Sequence, residues 1–482
     1  MGNLRRSRLV VVFGIAVFAV VGGISIARLM GSNQTNVKWG RAAQLRGATR
    51  IELGRDANLY ALSCSAPGTC SAVGSYAVRP NHNRAIVVNE LDGRWGKVEA
   101  LPGLRAVDDG LNTGAYVVSC VARGNCGAGG TYSVSPNELL VFVVEEHDGV
   151  WGRAVTVPGV RVDETGGFAD LATMSCASVG TCSAGGEVAG SNGARAFIVN
   201  EVRGTWGAIH PIASTPSYSM RGSTITSISC PSIGDCSAVG TGQKQPYDTP
   251  PFSVSESHGV WGRPEEVPGL AALSPGGSDY EISLSCASVG SCSARGTYRA
   301  RTGVTQSFLV DETRGVWGRA FDVPGIVALD GRHLEQLNAI SCGSPGNCSA
   351  GGAYGTGSHE QAFLVNEANG RWGDPMSIPG LATLNQGPFT SITDVSCSAA
   401  GTCGAIGTYG GPHGYVQAFA LNESRGTWGD AVRIGTSASP HSVGASGNAI
   451  SCVAAASCTV VGVDFTSMLR GEPFVQSTSP SR

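Results

Sequence analysis

The residues best suited to chemistry in this sequence are its 16 cysteines, which fall into eight Cys-x5-Cys pairs. Thiolates could bind zinc, but zinc ligands usually lie about two to four residues apart and are completed by a second pair or by histidines. No histidine keeps a constant spacing from these cysteines. Because the N-terminus is typical of an exported chain, the pattern predicts disulfides. The predicted pairs are Cys64 with Cys70, Cys120 with Cys126, Cys176 with Cys182, Cys230 with Cys236, Cys286 with Cys292, Cys342 with Cys348, Cys397 with Cys403 and Cys452 with Cys458.

Two other recurring residue types could in principle do chemistry. A glutamate stands five residues before a tryptophan in seven places, and paired carboxyls are the groups that hydrolyse glycosides. A serine precedes each first cysteine. An active site occurs once in a chain, so residues repeated this often are interpreted as structural, and no catalytic, cofactor-binding or metal-binding residue is predicted. The glutamates are expected to accept hydrogen bonds from backbone N–H groups of their own turn. They are Glu90, Glu146, Glu201, Glu256, Glu312, Glu367 and Glu423.

The tryptophans reveal the period of the chain. All eight occur as Trp-Gly, at 39, 95, 151, 206, 261, 317, 372 and 428, and the first cysteines of the pairs repeat with the same period of about 55 residues. Two independent markers with one period indicate a repeat architecture. The tryptophan rings are expected to pack between neighbouring repeats.

Each repeat contains four short strand signals. The first strand ends at Ser-Cys, and the second begins at the paired cysteine after a short loop. The third strand, as in AIVVNE and AFLVNE, is apolar on both faces, which is typical of a fully buried strand. A turn with glycine then leads to a fourth strand that carries Trp-Gly, and in five repeats this strand ends at Pro-Gly, a type II turn signal.

These signals predict an all-β fold, an eight-bladed β-propeller of four-stranded antiparallel blades. The chain starts with a lone fourth strand around Trp39 and finishes with three strands, the last around Phe474. The two fragments together complete one blade, so the N-terminal strand is expected to join the C-terminal blade and close the ring. A linear β-solenoid is the alternative, but it would need dedicated end caps.

The Glu-x-x-Gly-x-Trp turn resembles the Asp-box of sialidase-type propellers, with glutamate in place of aspartate and a different spacing. Eight tryptophan-bearing repeats also resemble the quinoprotein dehydrogenases, although the adjacent Cys-Cys of that family is absent. The chain is most similar in style to secreted Cys/Trp-repeat propellers of high-GC bacteria, which have no assigned function. These resemblances imply the fold and not a reaction.

The composition and the N-terminal sequence limit the possible partners and the cellular location. The chain has 482 residues and a formal net charge of −3, which argues against nucleic acid as a partner, because that binding needs a concentrated basic face. Arginines 5, 6 and 8 precede an uncharged stretch from Leu9 to Ala27. Residues 1–31 are therefore predicted to be a signal peptide or signal anchor, residues 32–482 a single propeller, and the protein extracellular or at the cell surface, with any membrane contact made by the N-terminal segment.

Function is expected where the repeats differ, which is in the loops joining strands two to three and four to one. The leading hypothesis is a non-enzymatic binding or scaffold propeller that recognises an extracellular protein, glycan or cell-wall ligand there, with no cofactor. The alternatives are an enzyme, glycoside hydrolase-like or quinone-dependent, with its site at the mouth of the central channel, and a ring that only spaces or shields the cell surface. The candidate binding residues on this variable rim are His82, Arg84, Tyr247, His333, His359 and His413.

Overall fold

The repeating unit is a four-stranded antiparallel sheet, as the first complete repeat shows. In this blade 1 the strands are β3 (Ala57–Ala66), β4 (Thr69–Arg79), β5 (His82–Leu91) and a fourth strand split into β6 (Arg94–Trp95) and β7 (Glu99–Ala100). They lie in the order β3-β4-β5-β6, and β7 also pairs with β5. The computed structural model describes residues 37–45, 47, 56–79, 82–104, 112–135, 137–160, 167–191, 193–215, 220–243, 249–273, 278–300, 302–330, 334–355, 359–435, 442–454, 457–466 and 470–479.

The other complete blades follow the same order of strands along the chain. Blades 2 and 3 are joined into one sheet by a short parallel pairing of β10 with β13. Blade 2 is β8 (Thr113–Ala122), β9 (Asn125–Ser135), β10 (Glu138–His147), β11 (Val150–Trp151) and β12 (Val155–Thr156); blade 3 is β13 (Gly167–Ser178), β14 (Thr181–Gly190), β15 (Gly193–Val202), β16 (Thr205–Trp206) and β17 (His210–Pro211). Blade 4 is β18 (Thr224–Ser232), β19 (Asp235–Thr241), β20 (Pro251–Ser257), β21 (Val260–Trp261) and β22 (Glu265–Glu266); blade 5 is β23 (Ser278–Ser288), β24 (Ser291–Arg299), β25 (Thr305–Thr313), β26 (Val316–Trp317) and β27 (Phe321–Asp322). Blade 6 is β28 (Leu334–Ser344), β29 (Asn347–Gly355), β30 (Glu360–Ala368), β31 (Arg371–Trp372) and β32 (Met376–Ser377); blade 7 is β33 (Thr390–Ala399), β34 (Thr402–Gly410), β35 (Val416–Ser424), β36 (Thr427–Trp428) and β37 (Val432–Ile434).

Blade 8 combines the two ends of the described chain, as predicted. Its inner strands are β38 (Ser442–Ala454), β39 (Ser457–Thr466) and β40 (Gly471–Ser479), and its outer strand is supplied by β1 (Lys38–Trp39) and β2 (Ala43–Gln44). Trp39 pairs with Thr478 and Ala43 pairs with Val475. First strands of successive blades contact each other all round, and β3 also contacts β38. The sheets therefore form a closed ring, and the predicted all-β propeller is confirmed.

The disulfides lie where the spacing predicts. Each cysteine pair faces across the hairpin between the first and second strands of a blade, as Cys64 faces Cys70. All eight bonds are formed, with Cα–Cα distances of 3.9 to 4.1 Å. Such facing positions of an antiparallel pair are close enough for a disulfide. Eight disulfides indicate that the chain folds in an oxidising environment.

The core is built from the third strand of each blade, which is buried on both faces as its sequence predicts. Its burial pattern in β5 is four consecutive buried residues, Ala85 to Val88. An aromatic ring fills the same third-strand position in seven blades and dominates the packing between sheets. These fully buried side chains are Phe142, Phe197, Phe252, Phe308, Phe363, Phe419 and Phe474.

The fourth strand is split into two short strands, whereas the sequence predicts one strand. The turn before it is a two-residue hairpin, Asp92-Gly93, with both φ angles positive (52° and 73°), which matches the right-handed twist of the flanking strands. Glu90 pairs with Trp95 and then Val87 with Glu99, so one extra residue bulges out after Trp95. The N–H of Gly96 donates to the carbonyl of Asn89 (2.8 Å) inside this bulge, which splits the strand in two.

A ring of hydrogen bonds links each blade to the next through the serine that precedes the first cysteine. The N–H of Cys120 donates to Oγ of Ser63 one blade earlier (2.9 Å), and the N–H of Cys64 donates to Oγ of Ser451 across the closure (3.1 Å). The same bond is made at every blade, with lengths of 2.9 to 3.2 Å. The serines are Ser63, Ser119, Ser175, Ser229, Ser285, Ser341, Ser396 and Ser451.

Among the described residues, helices are few and short. They are α1 (Leu270–Leu273), α2 (Ile326–Asp330), α3 (Leu381–Leu384) and a 3-10 turn at Pro412–Gly414. In the part of the chain that the structure describes, none of the helices has the length and apolar character needed to cross a membrane. Residues 35–482 form one compact unit. The predicted signal segment, residues 1–31, lies outside the described residues and stays a prediction.

Deleting residues 37–45 tests the closure of the ring. The deletion removes β1 and β2 and leaves the edge of β40, with Phe474 and Val475, without its partner strand. We expect the melting temperature, measured by calorimetry, to fall by well over 5 °C relative to a control that starts at residue 37. Equal melting temperatures for the two proteins would contradict closure by this strand.

Candidate functional site

The hydrogen bonds seen at four recurring glutamates reach the preceding blade, not their own turn as predicted; these are Glu146, Glu256, Glu312 and Glu423. Glu146 accepts hydrogen bonds from Oγ of Ser71 (3.1 Å) and from Nδ2 of Asn89, both in the preceding blade. Nε1 of Trp151 donates to Oδ1 of the same Asn89 (3.0 Å). The structural role of these glutamates and the interblade position of the tryptophans are therefore observed. The predicted partner was wrong, because the third strands of adjacent blades face each other.

This interblade unit of asparagine, glutamate and tryptophan recurs at two further interfaces where the third strand supplies asparagine before its glutamate. Asn200 bonds to Glu256 and Trp261, and Asn366 bonds to Glu423 and Trp428. Serine is too short to repeat this: beside Ser255 and Ser477, the indole N–H groups of Trp317 and Trp95 have no partner among the described residues. Asparagine alone does not suffice, because Asn422 of blade 7 donates to Sγ of Cys458 and its Oδ1 has no partner among the described residues; blade 8 has Thr478 where the other blades have glutamate.

Two blades replace this asparagine with an acid and thereby bury two carboxyls together. Nε1 of Trp206 donates to Glu145 (3.0 Å), and Nε1 of Trp372 donates to Asp311 (3.1 Å). Burial raises the pKa of Glu145 to about 8, and repulsion from Glu201 adds to this rise. Burial likewise raises the pKa of Glu201 to about 7. Burial therefore favours the protonated form of the carboxyls at these two interfaces.

Neither residue group that brings three potential metal ligands together is a metal centre. One contains Glu145, Cys182 and Glu201, and the other contains Cys286, Cys292 and Glu312. Every cysteine in them belongs to a disulfide, whose sulfurs are not thiolates, and metals bind the thiolate form. What remains is a buried carboxyl pair in one case and a single carboxyl in the other, so the described residues of these groups offer too few ligands.

A groove of about 500 Å³ opens between blades 3 and 4 on the rim with uniform hairpins. Its lips include Val202 and Ile233, which are 61% and 63% exposed. Its floor contains Asn200, whose amide is occupied by Glu256 and Trp261. The polar groups of this floor thus hold the blades together, and sequence reasoning, which treated this rim as featureless, missed its exposed apolar side chains.

A second ring of contacts surrounds the central channel. In most blades the innermost strand carries a bulged residue four positions before its first cysteine. In blades 4, 6, 7 and 8 the side chain of this residue donates to a backbone carbonyl of the next blade, at 2.6 to 3.5 Å. These donor–acceptor pairs are Thr226 with Ile282, Asn338 with Ile392, Thr393 with Gly447 and Asn448 with Leu59.

Blade 5 lacks the bulge and replaces the missing contact with an arginine. Ile282 and Ser283 pair without interruption with Gly296 and Arg295 on the second strand. Nη1 of Arg295 donates to the carbonyl of Leu337 in blade 6 (3.0 Å), which is the kind of bond that the bulged side chain makes elsewhere. The contact is thus kept even where the strand geometry changes.

Blades 1 to 3 depart from this pattern. Their bulged residues are Tyr60, Tyr116 and Ala172, and none of the three donates to the next blade in the described structure. The rings of Tyr60 and Tyr116 lie against each other, with centroids 5.2 Å apart, and Tyr116 is 41% exposed. The hydroxyl of Tyr60 is paired with Oγ of Ser75 (3.0 Å). Aromatic side chains thus replace these interblade hydrogen bonds in blades 1 and 2, and alanine replaces the donor in blade 3.

Acidic side chains lie on the inner strands of the next blade. Asp170 and Glu187 face each other on neighbouring strands of blade 3. Burial and the charges of Tyr60 and Asp170 raise the pKa of Tyr116, and a hydrogen bond with Thr131 partly opposes this. Phe168, 44% exposed, is two residues before Asp170 and therefore on the same strand face. We call Tyr60, Tyr116, Phe168, Asp170 and Glu187 the channel cluster.

Both carboxyls of the channel cluster have raised pKa values. Burial raises the pKa of Asp170, although a backbone N–H bond from Leu171 partly opposes this. Burial and the charge of Asp170 raise the pKa of Glu187. Carboxyls with perturbed pKa values and exposed aromatic rings are both typical of ligand sites, and this makes the channel cluster the candidate functional site.

The variable-rim prediction concerns other residues. His82 and Arg84 lie at the start of β5 in blade 1, His359 precedes β30 in blade 6, and the exposed His413 lies in the 3-10 turn of blade 7. They thus belong to the connections between second and third strands of three different blades. Tyr247 and His333 lie outside the described residues. The assignment of binding to these six residues stays a prediction.

Sequence reasoning missed the channel cluster, although a signal for it was present. Counting four residues back from each first cysteine gives Tyr60, Tyr116 and Ala172 in blades 1 to 3, and Thr226, Asn338, Thr393 and Asn448 in the others that have the bulge. At this position of the repeat, the change from threonine or asparagine to tyrosine is visible in the sequence. The sequence does not show that this residue is bulged, and the bulge is what lets its side chain reach the next blade.

Comparisons with known proteins find no family, and the similar solved structures are distant. No family model matches the sequence, and no curated protein matches it. The lectin BP39L from Burkholderia pseudomallei is 11% identical with a TM-score of 0.44, over 78% of this chain and 99% of the lectin. The GH74 xyloglucanase from Xanthomonas campestris is 10% identical with a TM-score of 0.43, over 81% of this chain and 54% of the enzyme.

A Hadza microbial sialidase is similarly distant, at 10% identity and a TM-score of 0.40, over 76% of this chain and 65% of the sialidase. This chain thus spans less than two thirds of the length of that sialidase. At such low identity and TM-score these structures assign no activity. The topology itself defines the class: a disulfide-linked β-propeller that is distant from families of known function.

Lowering the pH should stabilise the folded protein. Burial raises the pKa of Glu146, Glu201, Glu367 and Glu423 to about 7, from an ordinary value of 4.5. Each such carboxyl stabilises the fold fully below pH 4.5 and loses this contribution as the pH rises through its folded pKa. We therefore expect the calorimetric melting temperature to be higher at about pH 5 than at about pH 8.

Glu201→Gln isolates one of these groups, because neither oxygen of Glu201 has a partner among the described residues. The variant should melt higher than the wild type at about pH 8 and show a smaller difference between the two pH values. Glu99→Gln, at an exposed position, is the control and should keep the wild-type difference. A Glu201→Gln variant with the full wild-type difference would show that this carboxyl does not titrate as described.

Proposed function

We propose that this protein is an exported binding propeller, secreted or tethered by its N-terminal segment, that recognises a glycan at the channel cluster. The observation that carries the proposal is the replacement of interblade hydrogen bonds by two adjacent tyrosines in blades 1 and 2. At the bulged position of these two blades, tyrosine takes the place of a side chain that bonds to the next blade. The ring of Tyr116 is partly exposed there and lies against Tyr60.

The channel cluster supplies the two kinds of contact that bind sugars. Exposed aromatic rings present flat apolar surface with a polar tip, which suits the C–H face of a pyranose. Asp170 and Glu187 supply carboxyl oxygens that accept hydrogen bonds from hydroxyl groups. Both kinds of group are carried by the rigid inner strands β3, β8, β13 and β14, so little ordering accompanies binding.

Two features support a location outside the cell or at its surface. Eight disulfides suit an extracellular protein, since they persist in oxidising compartments. The N-terminal arginines and the apolar stretch after them are typical of an export signal or anchor. We therefore expect the glycan to be at the cell surface or outside it. Only a ligand that extends beyond the channel would also reach the rim residues His82, Arg84, His359 and His413.

A sugar-cleaving enzyme is the second candidate, and one observation favours it. Glycoside hydrolysis uses two carboxyls, one of them with a raised pKa as the acid. Asp170 and Glu187 are a facing pair whose pKa values are both raised. Turnover of each bound glycan should therefore be measured alongside binding, and a chain-length change in the product would favour the enzyme.

Tyr116→Ala tests where the glycan binds. Screening the purified protein on a panel of glycans and cell-wall fragments should give at least one ligand, and calorimetric titration should show at least ten-fold weaker binding by Tyr116→Ala because the stacking surface is lost. Tyr415→Ala is the matched control, since Tyr415 is also exposed (37%) but lies on the rim of blade 7 beside His413.

The two variants separate the channel from the rim. Loss of binding in Tyr116→Ala with wild-type binding in Tyr415→Ala supports the channel cluster. The reverse result would place the site on the variable rim and contradict the proposal for the channel. A protein that binds no glycan of the panel would contradict glycan recognition itself.

A further inference from the structure

The two tight hairpins of each complete blade lie together at one end of the sheet, on the rim opposite the variable loops. In blade 3 the N–H of Gly204, in the turn between the third and fourth strands, donates to the carbonyl of Gly180, in the turn between the first and second (2.9 Å). The equivalent bond joins the two turns in each of blades 1 to 7, at 2.8 to 3.0 Å. We call the surface formed by these paired turns the hairpin rim.

The hairpin rim carries the most exposed large apolar side chains of the described chain. All such side chains that are at least 55% exposed lie in its turns or directly beside them, on blades 2 to 5. With Val179 (49%) they form the apolar patch, which consists of Val150 (70%), Val179, Val202 (61%), Ile233 (63%), Val260 (70%), Val289 (55%) and Val316 (70%). Where blades 2, 4 and 5 have Val150, Val260 and Val316, blades 1 and 6 have arginine. An exposed apolar patch on neighbouring blades marks an interaction surface.

The same rim is basic, although the whole chain has a formal net charge of −3. Among the described turns and the residues beside them, the exposed charged side chains are six arginines and two aspartates. Asp92 forms an ion pair with Arg123 (2.6 Å), so the excess positive charge lies on the other arginines. The charged side chains are Arg94, Arg123, Arg203, Arg314, Arg371, Arg425, Asp92 and Asp148.

The first strand of the described chain also starts on this rim. Lys38 of β1 pairs with Ser479, the last residue of β40. Because β40 is the third strand of blade 8, it runs towards the hairpin rim as the other third strands do. The covalent connection to the predicted signal peptide or anchor, residues 1–31, is therefore made on the rim that carries the apolar patch and the arginines.

We infer that the hairpin rim docks on the surface of an anionic lipid bilayer, in addition to any contact made by the N-terminal segment. The apolar patch enters the boundary between headgroups and acyl chains, and arginines such as Arg203 and Arg314 bind lipid phosphates. Docking in this way leaves the variable rim facing away from the bilayer. It goes beyond the proposed glycan recognition and does not depend on it.

The charge of the rim favours a bilayer over a second copy of this chain. A symmetric dimer joins the same surface of both subunits. It would therefore bring the arginines of one hairpin rim close to those of the other, and like charges that face each other oppose association. Anionic headgroups instead attract the arginines, and membrane binding grows both with this attraction and with the apolar area that is buried.

Vesicle flotation tests the inference with residues 35–482, the compact unit that includes β1 and β2 and lacks the predicted anchor. The probes are vesicles of phosphatidylcholine alone and vesicles of an equimolar mixture of phosphatidylcholine and phosphatidylglycerol. We expect at least ten-fold tighter binding to the mixed vesicles, because only these are anionic. The preference should shrink as salt is raised, since salt screens charges.

Matched variants assign the binding to one rim. The hairpin-rim variant, which should bind mixed vesicles at least ten-fold more weakly, combines Val202→Ser, Ile233→Ser, Val260→Ser and Val316→Ser. The control, which should bind like the wild type, replaces four exposed apolar residues near the variable rim by Val78→Ser, Val134→Ser, Val327→Ser and Leu329→Ser. Since all eight side chains are exposed, unchanged melting temperatures verify that both variants are folded.

Arg203→Gln combined with Arg314→Gln tests the part of the charge. This variant should bind mixed vesicles at least three-fold more weakly and depend less on salt than the wild type, whereas its binding to phosphatidylcholine vesicles should not change.

The other outcomes separate the possible occupants of the rim. Absence of wild-type binding to mixed vesicles, or equal binding by the wild type and the hairpin-rim variant, would overturn the inference. A dimer seen by light scattering that the hairpin-rim variant loses, without flotation of the wild type, would overturn it in favour of a second copy. Neither result bears on glycan recognition, which the titrations of Tyr116→Ala test separately.

Discussion

The hydrogen bond from each first cysteine N–H to the serine of the preceding blade is the interaction on which the rest of the structure depends. It occurs at every blade, including the closure between Ser451 and Cys64 (3.1 Å). A backbone donor is fixed by the strand, and the strand is fixed by the adjacent disulfide. The serine hydroxyl therefore sets the spacing of the innermost strands, and with it the channel that they surround.

That fixed scaffold explains why variation in the repeat is informative. Thr226, Asn338, Thr393 and Asn448 each bind a carbonyl of the next blade, and Arg295 makes a similar bond where the bulge is missing. In blade 5 this contact is made by a different residue on a different strand. Its presence in spite of the changed strand geometry indicates that the contact stabilises the ring. Its replacement by tyrosines and alanine in three consecutive blades leaves the ring intact through the serine bonds and frees these positions for binding a ligand.

The sequence predicts those features that rest on local pattern. Cysteine spacing predicts the hairpin disulfides, apolar runs predict the buried third strands, and the lone Trp39 segment predicts the closure with β40. The sequence does not predict contacts between residues of different blades. Glu146 meets Asn89 and Ser71, 57 and 75 residues away, because the sheets stack, and no local rule reveals that partner. Tyr60 and Tyr116 look like ordinary strand residues until the bulge turns them toward the channel side.

Hydrogen–deuterium exchange with and without a bound glycan tests the central claim most directly, because it reports every backbone segment at once. Ligand binding at the channel predicts added protection in the peptides covering 58–62, 114–118 and 168–173, with little change in the connections around His359 and His413. Protection confined to those two connections, with unchanged exchange near Tyr60 and Tyr116, would contradict the account.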